Sequence, residues 1–426
     1  MKKISQKTIN ILVLFALEGI LFQFTGAINN FGNNLFATNL GATDSQIGLI
    51  QLVPNLVAML LMLPLGVLAD KAKNTRVIPI ITLFTMAFGY IILSLVPISP
   101  VLRMPLFFFA LSFSVGSTVL YNAQWQNFFG DAVIPAKQTD VLTCRNRFMF
   151  IIGIVAPIIC GVFMGMFTDP SSKLWVLQIF FAICAVCAIS QAFVLFHIPV
   201  ADHNREQFFT HSSITTAINA IFSRREFLCF FIPAIYFYIT WQIDWSMWYI
   251  EQVDYLGLSE TQMSVYNGIL NIGMLVAVGI VSRVALKKGV DLTIILAPIG
   301  LISCPLIMIF CTRLPQPVNF IMFTFLMATL NSMICAVNIC VVQILLKVSP
   351  VEHRSMAISI YTLSITFTNC IIPYIGVKIY ELMGSNYSAV IKFNILVFLL
   401  RIIAVILFVI RLRYINKAPS DVAQGL

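Results

Sequence analysis

Charge is what this sequence has least of: only 10% of its 426 residues are Asp, Glu, Lys or Arg, while 59% are hydrophobic. Soluble globular domains carry about a quarter charged residues, so with a mean hydropathy of +0.94 a soluble enzyme is excluded. Histidine is scarce too, with four residues: His197 at the end of an apolar run, and His203, His211 and His353 in polar connections. No Walker loop, dinucleotide fingerprint, HExxH, nucleophile elbow or paired metal ligands occur, so no cofactor, metal or catalytic set is expected and the chain does not read as an enzyme. The ten cysteines lie almost entirely in apolar runs, which argues against a disulfide framework. Cys184 and Cys187 form a lone C-x-x-C without a second pair, and helix packing explains it better than zinc. The net charge of +9 is scattered over short loops instead of covering one face, so no nucleic acid partner is expected.

What the sequence has is apolar length. A spanning helix takes about 20 residues, and stretches of that size lie at 9–37, 46–69, 77–97, 104–129, 141–167 and 174–198, then at 227–256, 261–286, 292–312, 317–347, 356–381 and 387–411. The first of these is too long for a signal peptide and reads as a span. The lipid bilayer is therefore the first partner. The longest connection, 199–226, carries Ile214, Ile218, Ile221 and Phe222 at helical spacing, which predicts a short interfacial helix within 208–222. Basic residues are retained in cytoplasmic loops. One set of connections and flanks holds twenty Lys and Arg, against Arg103, Lys173 and Arg313 on the other side. That bias predicts a multi-pass protein of the cell membrane with both termini cytoplasmic.

Gly41-Ala-Thr-Asp-Ser-Gln46, after the first span, reappears 216 positions later as Gly257-Leu-Ser-Glu-Thr-Gln262, after the seventh. A six-helix unit was duplicated. Each copy crosses the membrane an even number of times, so the halves share an orientation and a pseudo-two-fold axis along the membrane normal is expected. The reading is an all-α membrane protein of twelve transmembrane helices, with halves at 1–198 and 227–426 joined by a cytoplasmic linker at 199–226.

After the second span comes Gly66-Val-Leu-Ala-Asp70-Lys71-Ala-Lys73-Asn74-Thr75-Arg76, a carboxylate at a helix end with cations directly behind it. With twelve spans and a six-plus-six repeat, this resembles the signature loop of the major facilitator superfamily. The resemblance rests on Gly66, Asp70, Lys71 and Arg76; the family's later glycine is missing. In the second half Gly279 and the basic turn Lys287-Lys288 remain, but Arg283 stands where Asp70 would be. Pro350 to Arg354 resembles the family's proline-to-arginine stretch, and its first-half counterpart is stretched over Asp131, Pro135 and Arg145. The resemblance implies that Gly66, Asp70, Lys71, Arg76, Arg145 and Arg354 act in gating, through charge pairs that a rocking motion makes and breaks. The alternative is that these cations only set topology.

In that fold the first, second, fourth and fifth helices of each half are expected to face a central cavity. Spans 77–97, 174–198 and 292–312 contain no asparagine, whereas the first carries Gln23, Asn29, Asn30, Asn33 and Asn34, the eighth Asn267 and Asn271, and the tenth Asn331 and Asn338. Amides are costly in lipid, so these face protein or water. Gln23, Asn29, Asn33, Asn267, Asn271, Asn331 and Asn338 are the candidate solute contacts, with interhelical hydrogen bonding as the competing use. The seventh span adds Trp241, Asp244 and Trp248, an aromatic face beside a carboxylate that suits a sugar ring or a flat organic cation. Glu18 and Asp244 lie deep inside spans, where an ionised group is expensive. Both are candidates to carry a coupled proton, with a standing ion pair, for instance to Arg401, as the alternative for each.

The leading reading is a secondary transporter of a small organic solute, working as a monomer by alternating access with H+ as the coupling ion. Gly153-Ile-Val-Ala-Pro157-Ile-Ile-Cys-Gly161 partly resembles the glycine and proline motif of drug and proton antiporters, with Ala156 and Cys160 in place of glycines, so multidrug efflux is the second reading. A membrane sensor and a lipid-modifying enzyme are remoter ones.

Overall fold

A backbone surrounded by lipid must satisfy its own hydrogen bonds, and the chain does so by helix alone. The computed structural model describes residues 6–42, 44–72, 74–98, 102–167, 169–200 and 214–417, and no strand occurs among them. Twelve of the described helical segments are long and apolar enough to cross a membrane. The first six spans are α1 (Gln6–Asn39), α2 (Asp44–Lys71), α3 (Val77–Leu95), α4 (Arg103–Ala132), α5 (Pro135–Gly165) and α6 (Pro170–His197). The connection contributes α7 (Ile214–Phe222), the part of the expected interfacial helix that lies within the described residues. Then come α8 (Arg225–Gln242), α9 (Trp245–Ile250), α10 (Glu260–Lys288), α11 (Val290–Thr293), α12 (Leu296–Cys311), α13 (Val318–Leu330), α14 (Ala336–Val348), α15 (Arg354–Leu382) and α16 (Tyr387–Lys417).

The ends follow from local chemistry. Both α5 and α6 open on proline, tolerated in a first turn because its missing N–H is not needed there. Asp169 caps α6 by accepting from the Ser171 hydroxyl and the Ser172 N–H, and these bonds hold its carboxyl down at about 2. The fifth span was expected from 141; its helix starts at Pro135 because charged residues continue a helix beyond the apolar run. Gly41 and Gly257, which open the two copies of the repeat, both adopt left-handed backbone, with φ of 86° and 64°. In the second copy Ser259 and Gln262 then form a reciprocal cap on α10, so the repeated hexapeptide is a turn-and-start signal for a helix.

Three expected spans are interrupted. The seventh breaks at Ile243–Asp244 between α8 and α9 and ends in a π-helical turn, Glu251–Tyr255. The ninth breaks between α11 and α12, and the tenth passes through a 3-10 stretch, Asn331–Cys335, between α13 and α14.

The chain forms two compact units, residues 1–221 with 349–366, and residues 222–348 with 367–426. In the first, α1 packs on α5 and α6, α3 on α4 and α6, and α2 on α4. In the second, α16 packs on α12 and α8, and α10 on α13. Large side chains such as Leu60, Ile158 and Val186 stay exposed on the helices, as expected of surfaces that meet lipid rather than water.

The start of α15 belongs to the first unit although the sequence halves place it in the second. Asp70 of α2 and Gln124, Asn127 and Asp131 of α4 bond to it.

Candidate functional site

Each unit encloses a carboxylate–arginine pair within its spans. In the first, the fully buried Glu18 of α1 accepts from Arg145 Nε of α5 at 2.6 Å, Arg145 Nη2 at 3.2 Å, the Tyr121 hydroxyl of α4 at 2.7 Å and Gln191 Nε2 of α6 at 2.9 Å. Four helices thus converge on one carboxylate. The Arg145 guanidinium also lies over the Trp125 ring, 4.2 Å from its centroid. Both carboxylate oxygens are hydrogen-bonded, three donors on Oε1 and one on Oε2, which is the kind of arrangement a buried ion pair needs to offset its desolvation.

In the second unit Asp244 stands at the break of the seventh span. Arg401 Nη2 of α16 donates to both Asp244 oxygens at 2.6 Å, its Nη1 to the Leu301 carbonyl at 3.0 Å and its Nε to the Thr240 carbonyl at 3.1 Å. Thr240 is four residues before Asp244, so a continuous helix would have given its carbonyl the Asp244 N–H; at the break the guanidinium takes that place. One rung further along the same two helices, Asn394 Nδ2 donates to Glu251 Oε1 at 2.6 Å.

At the end of the first unit where the basic loops gather, Asp70 accepts from the backbone N–H groups of Ser355 at 2.8 Å and Met356 at 3.0 Å. A carboxylate therefore caps the positive N-terminus of α15. Arg354 Nη1 pairs with Asp131 of α4 at 2.9 Å, and Asn127 and Gln124 bond the Ser355 and Ser359 hydroxyls. Gly66 lets the helices close: a Cβ there would lie 2.7 Å from Ser359 Oγ. The corresponding end of the second unit is gathered by Asp291, which pairs with Arg411 at 2.6 Å and Lys347 at 3.2 Å.

The model of the Major Facilitator Superfamily matches residues 14–344. The chain belongs to that superfamily. It is thus a multi-pass membrane protein of a transporter family. No curated protein sequence matches it. Solved structures resembling it share the fold at low identity. An outward-facing bacterial homologue of the iron transporter ferroportin has a TM-score of 0.72 and 12% identity, covering 94% of this chain and 99% of its own. The fucose:proton symporter of E. coli gives 0.72 and 15% over the same shares. The human organic anion transporter gives 0.63 and 13%, again over 94% and 99%.

Against the superfamily's signature, the gating candidates divide. Gly66, Asp70 and Arg354 meet in the layer around the start of α15. Arg76 instead donates to the Phe196 carbonyl at 3.2 Å, at the end of α6, and Lys71 is exposed; Lys73 lies outside the described residues. Arg145, expected at the helix ends, is on Glu18 inside the unit. The pairing offered for Glu18 with Arg401 is not formed; Arg401 pairs with Asp244.

The solute candidates are placed as follows. Asn29 Nδ2 donates to the Tyr90 hydroxyl of α3 at 2.7 Å, and Asn33 is buried. Polar side chains of α1 thus bond to α3 through Asn29 and to α6 through Glu18, two helices outside the four expected to face the cavity. The oxygens Asn29 Oδ1, Asn33 Oδ1 and Asn331 Oδ1 are buried without a hydrogen-bond partner. Such acceptors call for a donor from water or ligand. Gln23 and Asn271 are half-buried, and Asn267 and Asn338 exposed. Trp241 stacks on Tyr238 with centroids 5.5 Å apart and planes at 25°, while Trp248 leans on Phe323 at 5.6 Å. In the stretch that partly resembles the drug antiporter motif, Cys160 is buried and a Cβ at Gly161 would meet open space. The sequence reading missed Asn127, Gln124 and Asp291, named Asp131 only within the stretched first-half counterpart of the run from Pro350 to Arg354, and gave Glu251 no role.

Proposed function

We propose that this protein is a secondary active transporter that carries a small organic solute by alternating access, coupled to protons, and is a carrier rather than an enzyme. The observation that carries the reading is charge enclosed within spanning helices: Asp244 and Arg401 at a helix break, where the fold has given up regular backbone. Ionisable groups at such depth are costly and mark substrate or ion pathways. The fucose:proton symporter among the similar structures adds support for a polar solute and a proton. Its two six-helix halves, 1–198 and 227–426, are joined by 199–226 and need no cofactor. Glu18, saturated by four donors, serves as a standing ion pair in this reading, and the coupling chemistry lies with the carboxyls of the seventh span. Gly66, Asp70 and Arg354 form the gate, with Lys71 exposed near it, while Arg76 holds the end of α6 and Arg145 stays on Glu18 within the unit.

Proteoliposomes test the reading directly. A thermal-shift screen of the purified protein over sugars, nucleosides, amino acids and cationic dyes names the solute class, dyes being the result that favours efflux. Accumulation of that solute should then require an imposed pH gradient; accumulation indifferent to the gradient would refute proton coupling.

Trp241 and at least one of Asn29, Asn33 and Asn331 contact the solute in this reading. Losing a stacking surface or a buried hydrogen bond costs about 1–3 kcal/mol, so Trp241→Ala is expected to weaken affinity about five- to 150-fold. Unchanged affinity in Trp241→Ala and all three Asn→Ala variants would move the site elsewhere.

Both termini lie in the cytoplasm of a cell-membrane monomer. A cysteine placed at Ser171, exposed beside the Asp169 cap, should react with an impermeant thiol reagent in intact cells, and one at Ser212 should not. The opposite pattern would invert the topology.

A further inference from the structure

Two carboxyls of the seventh span, Asp244 and Glu251, are seven residues apart, and their partners on α16, Asn394 and Arg401, are seven apart in the reverse order. The two helices are thus joined by two rungs. One rung has a guanidinium; the other has only an amide. Glu251 is 1% exposed, and so is Asn394. Glu251 Oε1 accepts from Asn394, but Oε2 is buried with no hydrogen-bond partner.

Its surroundings offer no compensation. The flanking Met247, Phe393 and Val397 belong to a buried apolar cluster that also takes in Tyr380. The charges acting on Glu251 are Asp244, of like sign, and Arg401, whose donors are already committed to Asp244, Thr240 and Leu301. On α15, Tyr380 of the same cluster has its hydroxyl bonded to Tyr255. One cation cannot neutralise two buried carboxylates, and it lies with Asp244. The turn that begins at Glu251 is π-helical, a geometry that recurs at functional sites.

We propose that Glu251 is the proton-binding group of the second unit, held here as the neutral acid opposite Asn394. This rests on the proton-coupled reading above. When the rung opens to water the Glu251 O–H bond breaks, the proton passes to water, and the carboxylate remains near Arg401. Asp244 keeps its charge throughout, as the standing counter-ion that ties Arg401 down.

Infrared spectroscopy of the full chain in lipid vesicles tests this without knowledge of the solute, because a protonated carboxyl stretches apart from the amide and carboxylate bands. The wild type is expected to show such a band at neutral pH, and Glu251→Gln to lose it. In Asp244→Asn, Arg401 becomes the unshared counter-charge and Glu251 ionises, so the band should fall at neutral pH and return only in acid. A wild type without the band, a Glu251→Gln spectrum that retains it in full, or a band unmoved in Asp244→Asn would overturn the proposal. Gradient-driven accumulation in the same vesicles tests coupling separately. A Glu251 band in a wild type indifferent to the pH gradient would remove the coupled reading while leaving the buried acid established. Loss of accumulation in Glu251→Gln, with solute exchange retained, is the result expected if both stand.

Discussion

Replacing Arg401 with methionine is expected to destabilise the protein by about 3–5 kcal/mol, since it leaves Asp244 buried and ionised without a cation. The loss extends beyond the pair. Arg401 is 1% exposed and its other nitrogens satisfy the Thr240 and Leu301 carbonyls, so the break in the seventh span loses the donor that replaced its helical hydrogen bond. Denaturant unfolding in detergent, followed by helical circular dichroism, measures the change. Asp244→Asn in the same background should restore much of the stability, because it removes the stranded charge and not merely a contact. Two variants equally unstable, or an Arg401→Met protein as stable as wild type, would show that the pair does not support the break. The conservative Arg401→Lys is expected to fall between, as a point charge cannot serve a carboxylate and two carbonyls in one plane.

Asp70→Ala is expected to slow transport about ten- to a hundredfold while leaving solute affinity nearly unchanged. The carboxylate accepts two backbone N–H bonds at the start of α15, and a hydrogen bond to a charged group contributes about 1.5–3 kcal/mol. These bonds exist only while α2 and α15 are latched, so their loss shifts one conformation against the other. Arg354→Ala should act in the same direction by removing the cation from Asp131. Arg76→Ala should do less, because that residue holds the end of α6. Uptake rates and ligand-induced thermal shifts at matched expression separate turnover from binding; normal uptake in both Asp70→Ala and Arg354→Ala would remove the latch from the mechanism.

The extent of each span was legible because lipid imposes a length and a composition that a sequence cannot disguise. The repeat was legible because a left-handed glycine followed by a cap has few chemical substitutes. What a run of apolar residues does not carry is its neighbours. Glu18 and Asp244 stand out as carboxylates in spans, yet their cations lie 127 and 157 positions away, and only packing decides which of Arg145 and Arg401 each receives. Glu18 and the amides of α1 were readable as polar groups within a span; that Glu18 and Asn29 turn toward other helices of their own unit was not. The breaks at Ile243–Asp244 and Asn331–Cys335 contain neither glycine nor proline, so nothing local marks them. The cations that Asp131 and Asp291 receive likewise lie 223 and 120 positions away, at Arg354 and Arg411, and only packing brings them together.

The duplicated hexapeptide bears on how such a chain is made. The left-handed glycine and, in the second copy, the Ser–Gln cap are set by residues within a dozen of one another. Only the Leu256 and Gly257 carbonyls of that copy wait for later chain, namely Gln316 and Asn319. During synthesis the hairpin of each half's first two spans can therefore set its bend as it emerges, before the arginines on α5 and α16 exist to neutralise the carboxylates already laid down in α1 and the seventh span. For that interval Glu18 and Asp244 have no cation, which assigns the membrane insertion machinery the task of sheltering them, and makes α5 and α16 the helices whose arrival completes each unit.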